Sequence, residues 1–119
     1  MQKLNWSINL NPYRLSPSLD VAELYANTDW AVEQLQDLGV TMVRVDILWT
    51  LVQPDADGLS SEAVRWYRHF FAALSNVGIS VYAVLYNPPR WAADLVHADL
   101  DAFLEAWRAY CRMVGREFA

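Results

Sequence analysis

Cysteine occurs once in the 119 residues, at Cys111, so no internal disulfide can form. Histidine occurs twice, at His69 and His97, far apart and without ligand-type neighbours, and no metal or other cofactor is expected. Only four glycines are present, and none builds a phosphate-cradling loop after the first predicted strand. No apolar run approaches the roughly 20 residues that cross a bilayer. The opening MQKLNWSINL lacks the long apolar stretch of a signal peptide, which favours a cytoplasmic location and leaves secretion of a longer parent open; no membrane partner is expected. Basic residues are also scarce: nine Lys and Arg against fourteen Asp and Glu leave a net charge of −5. Nucleic-acid binders need a basic face, so no nucleic-acid partner is expected. Hydrophobic residues, in contrast, make up 55% of the chain, enough for a real core in one small domain.

The apolar residues fall into alternating strand and helix patterns. Leu4 to Leu10 reads as a short strand and Asn11 to Asn27 as a loop holding two prolines and at most one helical turn. A helix is predicted from an N-cap at Thr28, with Asp29 suiting its positive end, Ala31, Leu35 and Leu38 on one face, and Gly39 as its stop. Val40 to Leu48 is the second strand. Ser60 to Gly78 is the second helix, with Val64, Tyr67, Phe71 and Leu74 as its apolar face. Ile79 to Leu85 is the third strand. Asp99 caps a third helix, with Leu100, Phe103, Trp107, Cys111 and Val114 at helical spacing. A weak repeat joins LGVTMVRV (Leu38 to Val45) to VGISVYAV (Val77 to Val84), 39 residues apart. That spacing suits successive βα units of a parallel sheet. The fold class expected is α/β, the first three βα units of a partial TIM (β/α)8 barrel, since the full barrel takes about 250 residues. The alternative is a complete small open α/β domain, against which stand the count of three strands and the missing Gly-rich loop.

Ligands of α/β proteins sit at the C-terminal ends of the strands. The first strand carries Ser7, Asn9 and Asn11 on one face. The second places Arg44 and Asp46 on one face between apolar Val43, Val45 and Ile47, with Trp49 just beyond. The third runs into YNPPRWA, with Tyr86, Asn87 and Trp91. Polar groups beside flat indoles suit a sugar, whose hydroxyls take hydrogen bonds and whose C–H faces stack on rings. Trp30, Trp66 and Trp107 fall in helices, where packing is their expected role. Trp49 and Trp91 fall in strand-to-helix loops, where they either line the site or fill the core.

The stretches LGVTMVRVDILWTLVQPDADG and FFAALSNVGISVYAVLYNPPRWA resemble the N-terminal half of a clan A glycoside hydrolase, of the family 39, family 42 or cellulase-like kind. Arg44, Trp49, Pro54 and Asp57-Gly58 match the pattern that follows strand two in that clan, and Gly78, Pro89 and Trp91 match the next unit. The resemblance covers roughly Val32 to the C-terminus. It implies a carbohydrate substrate for the full-length parent, and an Arg44 that hydrogen-bonds a nucleophilic carboxylate and favours its ionised form. Asp46 is then expected to orient Arg44 through a fork-type pair; alternatively the two charges form an ion pair that only fills the barrel interior.

One departure from the family outweighs the matches. Retaining enzymes of this clan use two glutamates, about 5–5.5 Å apart, from strands four and seven. Here Glu23, Glu33, Glu62, Glu105 and Glu117 fall on predicted helices or in the first loop, and Asp46 is the one acid on a strand face. No catalytic residue is assigned. Residues 1–119 are therefore expected to be an N-terminal fragment of a glycosidase catalytic domain, inactive alone. The alternatives are a non-catalytic carbohydrate-binding or structural α/β module, and a subunit that completes its barrel by oligomerising. Open sheet edges and a bare face imply that the isolated chain self-associates.

Overall fold

A computed structural model describes residues 7–118. The elements are β1 (Ser7–Leu10), a 3-10 turn (Pro12–Arg14), α1 (Val21–Asp37), β2 (Met42–Leu48), α2 (Trp49–Val52), α3 (Ser61–Asn76), β3 (Ser80–Tyr86), α4 (Arg90–Ala93), α5 (Leu95–Ala98) and α6 (Leu100–Phe118). The strands form one parallel sheet in the order β1-β2-β3. The β1–β2 register pairs Ser7 with Met42, Ile8 with Val43, Asn9 with Arg44 and Leu10 with Val45. Strand positions 4–6, predicted to begin β1, lie outside the described residues. No described helix is long and apolar enough to cross a membrane.

The largest difference from expectation is α1. It starts at Val21, seven residues before Thr28. Asp20 is the N-cap: its Oδ1 accepts the N–H of Ala22 at 2.8 Å and of Glu23 at 3.4 Å. Thr28 sits inside the helix, fully buried, and donates its hydroxyl to the Leu24 carbonyl at 2.6 Å. That hydroxyl also accepts the indole N–H of Trp66 at 2.9 Å, so a residue expected to begin a helix instead ties α1 to α3. The preceding loop is held by side chains. Buried Ser16 accepts the Asp20 N–H at 2.8 Å, and the Asn27 amide donates to the Leu15 carbonyl at 2.7 Å.

The weak repeat has a structural basis. Gly39 (φ 72°) and Gly78 (φ 78°) occupy the left-handed region one residue past the caps of α1 and α3. At the first, the N–H groups of Gly39 and Val40 donate to the carbonyls of Gln36 (3.0 Å) and Leu35 (3.4 Å). At the second, Gly78 and Ile79 donate to Ser75 (3.0 Å) and Leu74 (2.9 Å). Both are the paired-bond helix ending that favours glycine, and each turns the chain into the next strand.

The chain divides into two compact units. The first holds residues 1–46 and 65–84, of which those from 7 onward are described. Its core is Leu24, Ala31, Val32 and Leu35 of α1, Val43 and Val45 of β2, and Trp66, Tyr67, Phe70 and Leu74 of α3. Phe70 takes the fully buried position foreseen for Phe71, which is half-buried. Trp30, expected to pack, is 60% exposed, because it lies on α1 away from the Leu24–Ala31–Leu35 face. The second unit holds residues 47–64 and 85–119, described to 118. Its core is Ile47, Leu48, Trp49, Val52, Val64, Ala92, Tyr110, Met113 and Val114. Within it α4, α5 and α6 pack together, and Asp99 caps α6 by accepting the Ala102 N–H at 3.1 Å.

Candidate functional site

In the first unit, the β1–β2 register puts Asn9 beside Arg44, on the face opposite buried Val43 and Val45. Arg44 is the third of seven residues in β2 rather than its last, and its side chain is exposed. Asn9, Arg44 and half-buried Asp46 line a cavity of about 220 Å³ together with Asn11 and Arg14.

Asn11 organises this pocket. Its Oδ1 accepts the Tyr13 N–H at 3.0 Å, capping the 3-10 turn that begins with Pro12. Its Nδ2 donates to Asp46 Oδ2 at 3.1 Å. The expected Arg44–Asp46 fork pair is not formed among the described residues. Side chains two apart on a strand share a face but stand a full pleat repeat apart, and the Asp46 carboxylate is turned to Asn11 across the strands. The Asp46 backbone carbonyl accepts the Tyr67 hydroxyl at 2.8 Å, fixing β2 against α3 at this point. Arg14 was not foreseen, because its loop matches no recognised pattern. The signal available was the Asn-Pro-Tyr-Arg run, a capped turn that follows a strand and carries an arginine.

The remaining candidates, Trp49, Tyr86, Asn87 and Trp91, belong to the second unit. Trp49 has no exposed surface. It stacks on Tyr110 (4.9 Å between centroids, 14° between planes), meets Trp91 edge-on (5.7 Å, 87°), and touches Trp107 and Phe103 at 5.6 and 6.0 Å. Its indole N–H donates to Gln53 Oε1 at 2.9 Å. Trp49 is thus a core residue of this unit and offers no ring face to a sugar. The cause is local: α2 begins directly at the end of β2 and turns the ring inward. Trp91 is half-buried and donates its indole N–H to the Gln53 carbonyl at 3.1 Å. Tyr86 is 53% exposed and meets Trp107 edge-on at 5.9 Å. Asn87 takes a left-handed backbone (φ 60°), a conformation asparagine tolerates better than most residues, and its carbonyl accepts the Thr50 N–H at 2.9 Å.

Two side chains of this unit titrate away from their ordinary range. Burial, and then the neighbouring Cys111, push the Tyr110 phenol well up, and its hydroxyl donates to the Ile47 carbonyl at 3.0 Å. Burial also pushes the Cys111 thiol up, the direction of an unreactive thiol. Among the described residues no group of three His, Cys, Asp or Glu is placed to hold a metal ion. Each glutamate lies on a helix: Glu23 and Glu33 on α1, Glu62 on α3, Glu105 and Glu117 on α6.

No family model matches the chain. It is 31% identical over 110 residues to Klotho of Mus musculus, an alignment that covers 87% of this chain and 11% of Klotho. Among solved structures it is similar to an aphid myrosinase, with TM-score 0.78, 16% identity, and coverage of 96% of this chain and 32% of the other. It is also similar to the GH1 β-glucosidase of Exiguobacterium antarcticum B7, with TM-score 0.72, 21% identity, and coverage of 81% and 22%. The chain therefore spans about a tenth of the curated relative and between a fifth and a third of these structures. The similar structures include GH1 β-glucosidases, a likeness of fold at these identities, and the finer likeness to family 39, family 42 or the cellulases finds no support in them. The fold is that of the first part of a TIM barrel: a parallel three-stranded sheet with its helices, as in GH1 enzymes.

Proposed function

We propose that this chain is part of a retaining glycoside hydrolase that cleaves O-glycosidic bonds of a β-linked oligo- or polysaccharide. The observation that carries the reading is the polar pocket of Asn9, Asn11, Arg44 and Asp46 on a sheet of the β-glucosidase fold. Asn9 and Asn11 supply amide donors and acceptors suited to sugar hydroxyls. Arg44 supports a carboxylate supplied by the rest of the barrel, holding it ionised and oriented. The acid/base and nucleophile belong to strands outside these 119 residues, and the chain alone is inactive. Aryl β-glycosides test this directly: no turnover above a buffer blank is expected. Turnover that survives repurification and disappears in Arg44→Ala would sink the reading. In a longer protein carrying this chain, Arg44→Ala is expected to cut kcat strongly with the fold kept. A kcat within about twofold of the parent assigns Arg44 to structure instead.

A second reading is a non-catalytic sugar-binding module. It is favoured by one observation: Asp46 is the single carboxylate on a strand among the described residues, and retaining hydrolysis needs two. In either reading the isolated chain is expected to self-associate through the free edges of β1 and β3, with Ile8, Met42 and Tyr82 exposed. Light scattering at monomer mass with a sharp reversible melt would overturn that expectation.

A further inference from the structure

In the second unit, α6 turns Tyr110, Met113 and Val114 into the core. Beside that buried face runs an apolar row, Leu100, Leu104, Trp107 and Cys111, at the four-three-four spacing of a seam between paired helices. Leu100 is 54% and Leu104 37% exposed, and Trp107 and Cys111 are half-buried. Exposed Tyr86 widens the row where it meets Trp107. A second row follows one residue further on at the same spacing: Asp101, Glu105, Arg108 and Arg112, all exposed. Its first half is acidic and its second half basic. Within α6 this order sets like charges four apart, Asp101 with Glu105 and Arg108 with Arg112, which is unfavourable in a lone helix. None of the four is in an ion pair among the described residues. The helix dipole acts on the first and last turns, so it does not account for Glu105 and Arg108 in the middle of the helix.

We propose that this face of α6 pairs with the same face of a second copy of the chain, the two helices antiparallel about a two-fold axis. The two rows give one register. Laying Leu100 on the partner's Cys111 and Leu104 on the partner's Trp107 covers the apolar row. The same register brings Asp101 to the partner's Arg112 and Glu105 to the partner's Arg108, and symmetry makes each pair twice. In a parallel pair each charge would meet its like, so the charged row selects the antiparallel orientation as well as the occupant. The surface is self-complementary and closes at two copies, unlike association through strand edges, which has no such limit. The pairing concerns the 119-residue chain and rests on neither functional reading.

The test is sedimentation equilibrium of the 119-residue chain, 13.6 kDa as a monomer, over about 1–100 μM. A dimer is expected as the first species to form as concentration rises, with a Kd that increases with added salt. Glu105→Arg and Arg108→Glu are each expected to raise that Kd about tenfold, because each turns two attractive pairs into two repulsive ones. An equimolar mixture of the two variants is expected to recover the original Kd, since every reversed charge then meets its opposite. Leu104→Ser is expected to raise the Kd by about tenfold or more. The three replaced side chains are exposed, so far-UV circular dichroism is expected to match the unaltered chain. Recovery on mixing reads the pairing itself, because a change within one helix cannot be rescued by another chain. A monomer across the whole range, a Kd indifferent to salt, a Kd that neither reversal moves (as strand-edge association alone would give), or no recovery on mixing would each overturn the proposal.

Discussion

β2 and β3 begin alike and end differently. Each is seven residues long, and each follows a helix that ends on a left-handed glycine with the same pair of backbone hydrogen bonds. In β2 burial alternates: Val43, Val45 and Ile47 are inside, while Met42 and Arg44 are outside. In β3 no residue is fully buried, and Tyr82 and Tyr86 are 60% and 53% exposed. The residue after β2, Trp49, is sealed in a core, whereas Trp91, beyond β3, is only half-buried. The two strands differ because β2 has a strand on either side and β3 has one. Local pattern sets where a strand starts and which side chains share a face; the number of neighbours sets how much that face is covered.

The strongest way to break this comparison is Trp49→Ala. A fully buried tryptophan ringed by aromatics is expected to cost about 3–5 kcal/mol when truncated, which for a small domain is most of its stability. Near-UV circular dichroism and a urea melt read it. A cost near zero would return Trp49 to a surface role. Next, at a dilution that keeps the chain monomeric, Val45→Ala in β2 is expected to cost about 1–3 kcal/mol, while Tyr82→Ser in β3 changes stability by less than about 0.5 kcal/mol. Equal costs in the two strands would mean that β3 is covered in solution, as self-association would do.

A pH titration sharpens the picture of the second core. Tyr110 is held protonated in the folded chain above its ordinary pKa, with burial the main cause. A raised folded pKa stabilises below the unfolded value, and that stability is lost as pH rises beyond it. Stability is therefore expected to fall from about pH 10, by about 1 kcal/mol at pH 11. Tyr110→Phe should reduce this slope to the smaller part left by the Cys111 thiol, which burial also raises, at the cost of the hydrogen bond to the Ile47 carbonyl. A slope unchanged in Tyr110→Phe would place the titrating group elsewhere.

Much of this was legible from sequence, and the exceptions are specific. Period-2 alternation located β2 to within two residues, and glycine stops located the ends of α1 and α3. The start of α1 was misplaced because Thr28 and Asp20 are both acceptable caps. The deciding local sign was Glu23, three residues after Asp20, the spacing of a capping box. The Arg44–Asp46 pairing was misjudged because spacing shows which side chains share a face and cannot show which neighbour a carboxylate turns to. Asn11 wins Asp46 from the next strand, a contact 35 residues apart in sequence. Arg14 joined the pocket for the same reason, through the course of a loop that no period describes.

The sequence alone determined the order of elements, their parallel βα arrangement and the polar face of β2, because these follow from periods of two and 3.6 residues and from glycine's freedom at positive φ. Tertiary structure alone decided that Trp49 is core while Trp30 is exposed, that Thr28 joins two helices rather than starting one, and that Arg14 and Arg44 share a pocket. Those outcomes depend on which surfaces remain uncovered after packing, and burial is a property of neighbours brought together across the chain, not of the residues that flank a position.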